Sequence, residues 1–353
     1  MLFDLPTIYF FQKDYQQPYV QQYNFGIEAA VLPDVSVSLG YLGVKGIHLQ
    51  RTNDINLPHL ELPATIGIAG QPGTSLSFTK FPNINGNPIR PSPQFSRLFE
   101  FESNANSNYN GFITQVTKRF SHNFQMLVSY TWSHVIDNVP DATAVVPGTD
   151  DGKLVYDPTN FAVDRASGND DTRHRFVLSG VWQLNNYTRD MNPLARAVLG
   201  GWEFSAIFSA QAGQPYTAFV SSDLNADGNN RNERVPGTSR NQFNLPTIVS
   251  LDPRVSRDFT VIERMKLQLI AEAFNVFNRA NITGIRTTEF ATSSSSSVCG
   301  SVVSPCLVPQ VISGSPISAA NVGTNAFGLP SAANINGQGN VGRVLQFAAK
   351  ITF

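Results

Sequence analysis

Side chains that alternate in polarity every second residue for about ten residues, stop at turn-forming residues and then start again confine this chain to strands. From Phe124 to Trp132 the even positions read Phe124, Met126, Val128, Tyr130 and Trp132, with Gln125, Ser129 and Thr131 between them. The same two-sidedness recurs at Phe176, Leu178, Trp182 and Leu184 against Ser179 and Gln183, and at Trp202, Phe204, Ala206 and Phe208 against Glu203, Ser205 and Ser209. Tyr23 to Val31, Val35 to Tyr41, Phe112 to Phe120 and Met265 to Ala273 follow the rule, and Leu345 to Phe353 is the cleanest run. Thr247 to Phe259 is weaker, because Pro253 cannot donate to a ladder and belongs at a bulge or an edge. Helical periodicity is confined to Leu194–Leu199, too short to matter, so the expected class is all-β.

The connections alternate as regularly as the side chains. Short ones fall at Leu32-Pro33-Asp34, Ser121-His122-Asn123 and Thr260 to Arg264, with a longer one from Asn185 to Gly200. Between them stand long Gly/Asn/Ser/Pro-rich stretches at His48–Asn108, Val135–Thr172, Gly213–Pro246 and Asn278–Val341, read as loops without structure of their own. Such loops count against a compact soluble domain. A transmembrane β-barrel requires that asymmetry, with short periplasmic turns and long extracellular loops. About eleven residues at about 3.3 Å each, tilted near 40°, cover roughly 28 Å, the height of an outer-membrane apolar band. Trp182 and Trp202 would flank one membrane interface and Trp132 the other. Composition agrees: only 14% of residues are charged and the net charge is -1, which disfavours a charged water-facing shell and leaves no cationic face for nucleic acid. No run approaches a membrane-spanning helix.

Several segments resemble the barrel of Oar-like TonB-dependent transporters. They are Pro18 to Glu28; Gly40-Tyr41-Leu42-Gly43 with Gly46 and His48-Leu49; Arg51-Thr52-Asn53-Asp54-Ile55-Asn56; Ser107 to Asn110 with Lys118 to Ser121; Ser129 to His134; Asp171 to Ser179 with Leu199 to Trp202; and Glu272 to Asn278. The resemblance spans nearly the whole chain, residues 1–353, in family order. It implies a twenty-two-stranded barrel preceded by a plug and a TonB box, none of which is visible here. The reading of the residues yields roughly nine strands, an odd number that cannot ordinarily close an antiparallel bacterial barrel. The expected fold is therefore an antiparallel transmembrane β-barrel that is partial, the C-terminal part of a larger one, with Thr7–Phe11 a weakly patterned tenth strand. Met1-Leu2-Phe3 runs at once into Asp4, without the basic and apolar regions of a secretory signal; either the chain is cytosolic or its true beginning is missing.

Candidate chemistry is sparse. Asp223, Asn225 and Asp227 at alternate positions with Gly228 at the sixth begin like a calcium loop, but the twelfth position is Arg234 and Glu233 stands one place early. An extracellular Ca²⁺ site and a plain Asx-rich turn both remain open; no other cofactor is expected. Cys299 and Cys306 lie in a Ser/Gly/Pro-rich segment and read as a surface-loop disulfide formed in an oxidising compartment, with two free thiols as the alternative. His48, His59, His122, His134 and His174 are scattered, and no catalytic motif is present, so no enzyme is expected. Asp170 to Arg175 reads as a salt-bridge cluster between loop and rim. Gly40, Gly43 and Gly46 read as strand glycines where something packs closely. A terminal Phe353 preceded by Ile351, Ala349, Phe347 and Leu345 resembles the signal by which the barrel-assembly machinery recognises its clients.

Two function classes follow. One is an outer-membrane transport and surface-recognition protein, embedded in lipid in the bacterial outer membrane, with an unknown external ligand and contact with the TonB complex only through the missing N-terminal parts. The other is a secreted soluble β-sandwich, for example a carbohydrate-binding module.

Overall fold

The computed structural model describes residues 5–138, 154–184, 191–262, 265–310, 327–334 and 342–353. Nine strands follow one another as neighbours in one antiparallel sheet: β1 (Tyr19–Leu32), β2 (Val35–Asp54), β3 (Arg97–Ser121), β4 (Phe124–Asp137), β5 (His174–Gln183), β6 (Trp202–Gln211), β7 (Ile248–Ile262), β8 (Met265–Phe274) and β9 (Val344–Thr352). This up-and-down order is the expected partial barrel, and it removes the sandwich reading, since the nine strands make one sheet and not two facing ones. Thr7–Phe11 is a strand, but it pairs parallel with Arg97–Phe101 of β3 and stands outside the meander. No helix among the described residues is long and apolar enough to cross a membrane.

Register converts the period-2 pattern into two opposite surfaces. Val37, Val116, Val128, Leu178, Phe208 and Leu251 are direct cross-strand partners in one row. One residue along, Gln115, Ser129, Val177, Ser209 and Ser250 form a mostly polar row on the other face. The mostly polar row belongs to the concave face, where Thr117, Gln125, Ser179, Ser205, Asp252, Arg254 and Glu272, with Leu127, Val181 and Ile207 between them, line a hollow of about 610 Å³. The apolar face turns outward, with Phe112, Trp132, Trp182, Phe204, Leu269 and Phe347 all exposed. In water that surface would be a large penalty; in a bilayer it is the buried side. Trp182 and Trp202 both lie against Phe204, at 6.1 and 6.3 Å between ring centroids, and mark one rim. Trp132 pairs with His174 near the other.

The short connections gather at the rim of Trp182 and Trp202. Leu32 faces Val35 across Pro33-Asp34, and Ser121 faces Phe124 across His122 (φ 47°) and Asn123 (φ 63°), the two positive φ values of the turn that matches strand twist. Lys118 Nζ reaches Asp34 at 2.7 Å, and Ser121 Oγ donates to the same carboxylate; together they hold the Asp34 carboxyl down at about 2. Between β5 and β6 the connection contains a seven-residue helix, α1 (Pro193–Leu199), started by Asn192, whose Oδ1 accepts from Ala195 N at 2.7 Å. Residues 185–190 and 263–264, parts of two of these connections, lie outside the described residues.

Pro253 sits mid-strand opposite Ala206 on β6, but the ladder to β8 begins only at Arg254, so its missing N–H faces no partner strand there. Gly43 and Gly46 do admit close neighbours: a Cβ at Gly43 would lie 2.1 Å from the Tyr23 ring, and one at Gly46 would lie 2.7 Å from Ser107 Oγ.

The long connections correct the expectation of structureless loops. β2 is 20 residues and β3 is 25, so both run well past the band of roughly eleven, and much of His48–Asn108 is strand. A register shift between Gly46 and Leu49, with His48 at φ 57°, breaks the period-2 count at that point and conceals the continuation. Beyond it, pieces of three connections assemble a five-stranded mixed sheet in the order Phe219–Val220, Thr288–Ser293, Cys306–Pro309, Leu62–Ile68, Gln71–Lys80. Ile66, Ile68, Ala218, Val220, Val235, Phe290 and Leu307 are buried around it, whereas the membrane strands contribute almost nothing buried and apolar beyond Phe99 and Ala105. Residues 139–153, 311–326 and 335–341 of these connections lie outside the described residues.

Cys299 and Cys306 are disulfide-bonded, with Cα atoms 5.8 Å apart, and fasten the start of the sheet's central strand to the turn before it. Both are buried, at 1% and 0% exposure, so the bond belongs to the interior of the loop sheet and not to its surface. Replacing both by Ala is expected to cost the loop sheet about 2–3 kcal/mol, the loop-closure value for so short a ring. Proteolysis of intact cells should then cut near Leu307, while the heat-modifiable mobility of the barrel is unchanged.

Candidate functional site

The connection between β6 and β7 leaves the sheet, enters the short strand Phe219–Val220 and returns at Arg234, where Phe219 and Arg234 form an antiparallel bridge. Val220 N donates to Glu233 O at 2.9 Å and Val235 N to Ala218 O at 3.1 Å, which closes residues 221–233 into a compact loop. Within it Asp223 Oδ1 and Oδ2 accept from Asp227 N (3.2 Å) and Gly228 N (2.8 Å), Asn225 Oδ1 accepts from Asp227 N (3.0 Å), and Asp227 Oδ1 accepts from Asn229 N (2.6 Å). Ala226 (φ 59°) and Gly228 (φ 87°) supply the reversals; the second is why Gly stands there. Glu233 reaches back to accept from Leu224 N at 3.2 Å and Asn225 N at 3.4 Å. The residue one place early for an EF-hand therefore closes this loop, and Arg234 points elsewhere.

Three carboxyl groups are thus packed into one small volume. Burial, then the charge of Asp223, pushes the Asp227 carboxyl up to about 7; burial, then the charge of Asp227, pushes Glu233 up to about 8. Burial raises Asp223 as well. Among the described residues no group of three His, Cys, Asp or Glu side chains converges closely enough to hold a metal by itself. A cation here would need amide oxygens.

Arginines dock this loop on the strand ends. Arg90 Nη2 donates to Asp227 O at 3.4 Å and its Nη1 to Asp54 Oδ2 at 2.9 Å, while Arg97 donates to Gly228 O. Arg234 is paired with Asp164, which is fully buried, and Arg240 with Asp137 at the end of β4. Arg240 Nε also donates to Asp164 O at 2.9 Å. Asp164, Arg234 and Arg240 are not legible in the sequence as partners of one another. Their partners lie far away along the chain, and a lone Arg or Asp in a loop carries no spacing signal.

The other candidate residues are dispersed. Cys299 and Cys306 stay in the loop sheet, and Phe353 follows β9 at the short-turn rim, 95% exposed. The Asp170–Arg175 segment does tie loop to rim: Asp171 accepts from Val135 N at 2.9 Å and from Arg173 at 3.2 Å, with His134 Nε2 at 3.8 Å. His174 pairs with Tyr130 at 2.9 Å, and His48 and His122 lie at a bulge and a turn. The five histidines share no site.

A family model described as "Outer membrane beta barrel domain" matches residues 3–240 and 234–305. Similar solved structures include the outer membrane transporter YddB from Escherichia coli, 9% identical with a TM-score of 0.45, covering 82% of this chain and 32% of that one. Another is the pyoverdine outer membrane receptor FpvA from Pseudomonas aeruginosa, 12% identical with a TM-score of 0.40, covering 76% of this chain and 27% of that one. The chain spans about a third or less of the length of either. No curated protein matches.

Proposed function

We infer that this chain, which belongs to the outer membrane beta barrel domain family and resides in the bacterial outer membrane, is the C-terminal part of the barrel of an Oar-like, TonB-dependent transporter or receptor. The observation that carries this is the nine-strand meander with an apolar outer face, a polar concave face and folded long connections on one rim only. On this reading residues 1–353 supply one wall of a larger pore, the short turns face the periplasm, and the loop sheet is the surface that meets an external ligand. The TonB complex would be contacted by parts of the full-length protein that precede this segment. Binding of the purified full-length protein to the periplasmic domain of TonB tests it directly. Saturable binding is expected, and none at micromolar concentrations sinks the transporter reading while leaving the barrel intact.

The same reading makes β9 the strand that the barrel-assembly machinery recognises. Deleting Phe353 is expected to lower outer-membrane abundance severalfold and raise periplasmic degradation, and Phe353→Tyr to be tolerated. Heat-modifiable migration and surface labelling of the long loops measure both; unchanged assembly after deletion would refute the role of this residue.

A further inference from the structure

We propose that a calcium ion binds between the Asp223–Glu233 loop and the end of β2, held by Asp227, by the amide oxygen of Asn229 and by the amide oxygen of Asn53. The acidic loop is not sufficient, because its carboxylates and amides are engaged with the loop's own backbone. The second observation lies on β2. Asn53 is 6% exposed; its Nδ2 donates to Glu102 Oε1 at 3.0 Å, but its Oδ1 has no hydrogen-bond partner. A buried carbonyl oxygen without a donor wants a water or a cation.

Asn53 shares the wall of one small cavity with Asp227 and Asn229, about 10 Å³, the size of a single water or ion. The two elements are already docked there, since Arg90 and Arg97 on the β2–β3 side donate to the carbonyls of Asp227 and Gly228. All donors on offer are carboxylate or amide oxygens, with no thiolate and no imidazole, which selects a hard cation. Two neutral amides, one from the loop and one from the strand end, in irregular geometry suit calcium, whose shell is flexible, and not magnesium, which demands a near-ideal octahedron. Arg97 also lines the cavity. Its charge keeps the affinity low, in the range of about 10⁻⁴–10⁻³ M used by extracellular modules. The ion would neutralise the clustered carboxylates and clamp the β6–β7 connection onto β2.

The test uses the full-length protein in detergent, stripped with EDTA and titrated with ⁴⁵Ca²⁺ alone in flow dialysis. Proteolysis of residues 212–247 serves as a second readout, and heat-modifiable mobility confirms that each variant is folded. One Ca²⁺ per chain is expected, with slower loop cleavage in its presence. Asp227→Asn should abolish binding, and Asn53→Ala should weaken it at least about tenfold. Asn53→Asp, which keeps the oxygen and adds charge, should bind at least as tightly as the wild type. No binding by the wild-type protein overturns the site, and unchanged binding by Asn53→Ala overturns the shared coordination. Neither outcome bears on TonB binding, so the proposal and the transporter reading fail separately.

Discussion

Asp164→Ala is expected to loosen the loop assembly by about 3–5 kcal/mol, the cost of leaving a buried charge without its partner. Asp164 is fully buried, pairs with Arg234, accepts from Tyr156 N at 3.3 Å and offers its backbone oxygen to Arg240. Its removal leaves the buried Arg234 guanidinium over the Tyr156 ring, 4.6 Å away, with the Val163 carbonyl at 3.0 Å as its other hydrogen-bond partner. Amide hydrogen exchange should show protection lost across Val220 and Val235 while β4 to β8 stay protected. Arg173→Ala is the contrast. Arg173 is 41% exposed in its pair with Asp171, and removing it should cost no more than about 1 kcal/mol. Equal losses of protection in the two variants would contradict this account of the loops.

The largest effect on the membrane strands should depend only on parity. Leu178→Arg places a charge on the outward apolar row between Val128 and Phe208, where a bilayer penalises Arg by about 2–4 kcal/mol near its midplane. Ser179→Arg, one residue along, places the same charge on the concave face, between Leu127 and Ile207 and in the same hollow as Thr117 and Asp252. The first variant should lose most of its folded, heat-modifiable form in outer-membrane fractions, and the second should keep it. The reverse ordering would mean that lipid and lumen are assigned to the wrong faces.

How much of this was legible follows from what each element depends on. The membrane strands are simple to read because lipid on one side and polar groups on the other impose one rule at every second residue, as in Phe124–Trp132 and Leu345–Phe353. The loop sheet was missed because its strands obey other rules. Cys306–Pro309 lies between a parallel and an antiparallel neighbour, so it reads as a short apolar run without alternation. Phe219–Val220 is two residues long, below any pattern. The bulge near His48 hid the extension of β2, and Thr7–Phe11 was visible as a strand although its parallel partner was not. At the acidic loop the residue types mark a segment that folds back on its own backbone. That the Asn53 end of β2 lies against it leaves no trace in spacing, because pairing over such a distance has none.

The loop sheet also carries a consequence for the order in which the molecule assembles. Its central pairing joins Cys306 and Leu307 to Gly67 and Ile68, and its edge joins Val220 to Phe290. Contacts between segments so distant along the chain bear a heavy loop-closure cost until something else brings them together. The meander does so, because each of its strands needs only its sequence neighbour. The loop sheet should therefore condense last, once β2, β3, β6, β7 and β8 are aligned. The Cys299–Cys306 ring, with a sequence separation of only 7, requires no such alignment and can close first. The chain thus carries its earliest and its latest tertiary events in the same few residues, with registration of the membrane strands as the step between them.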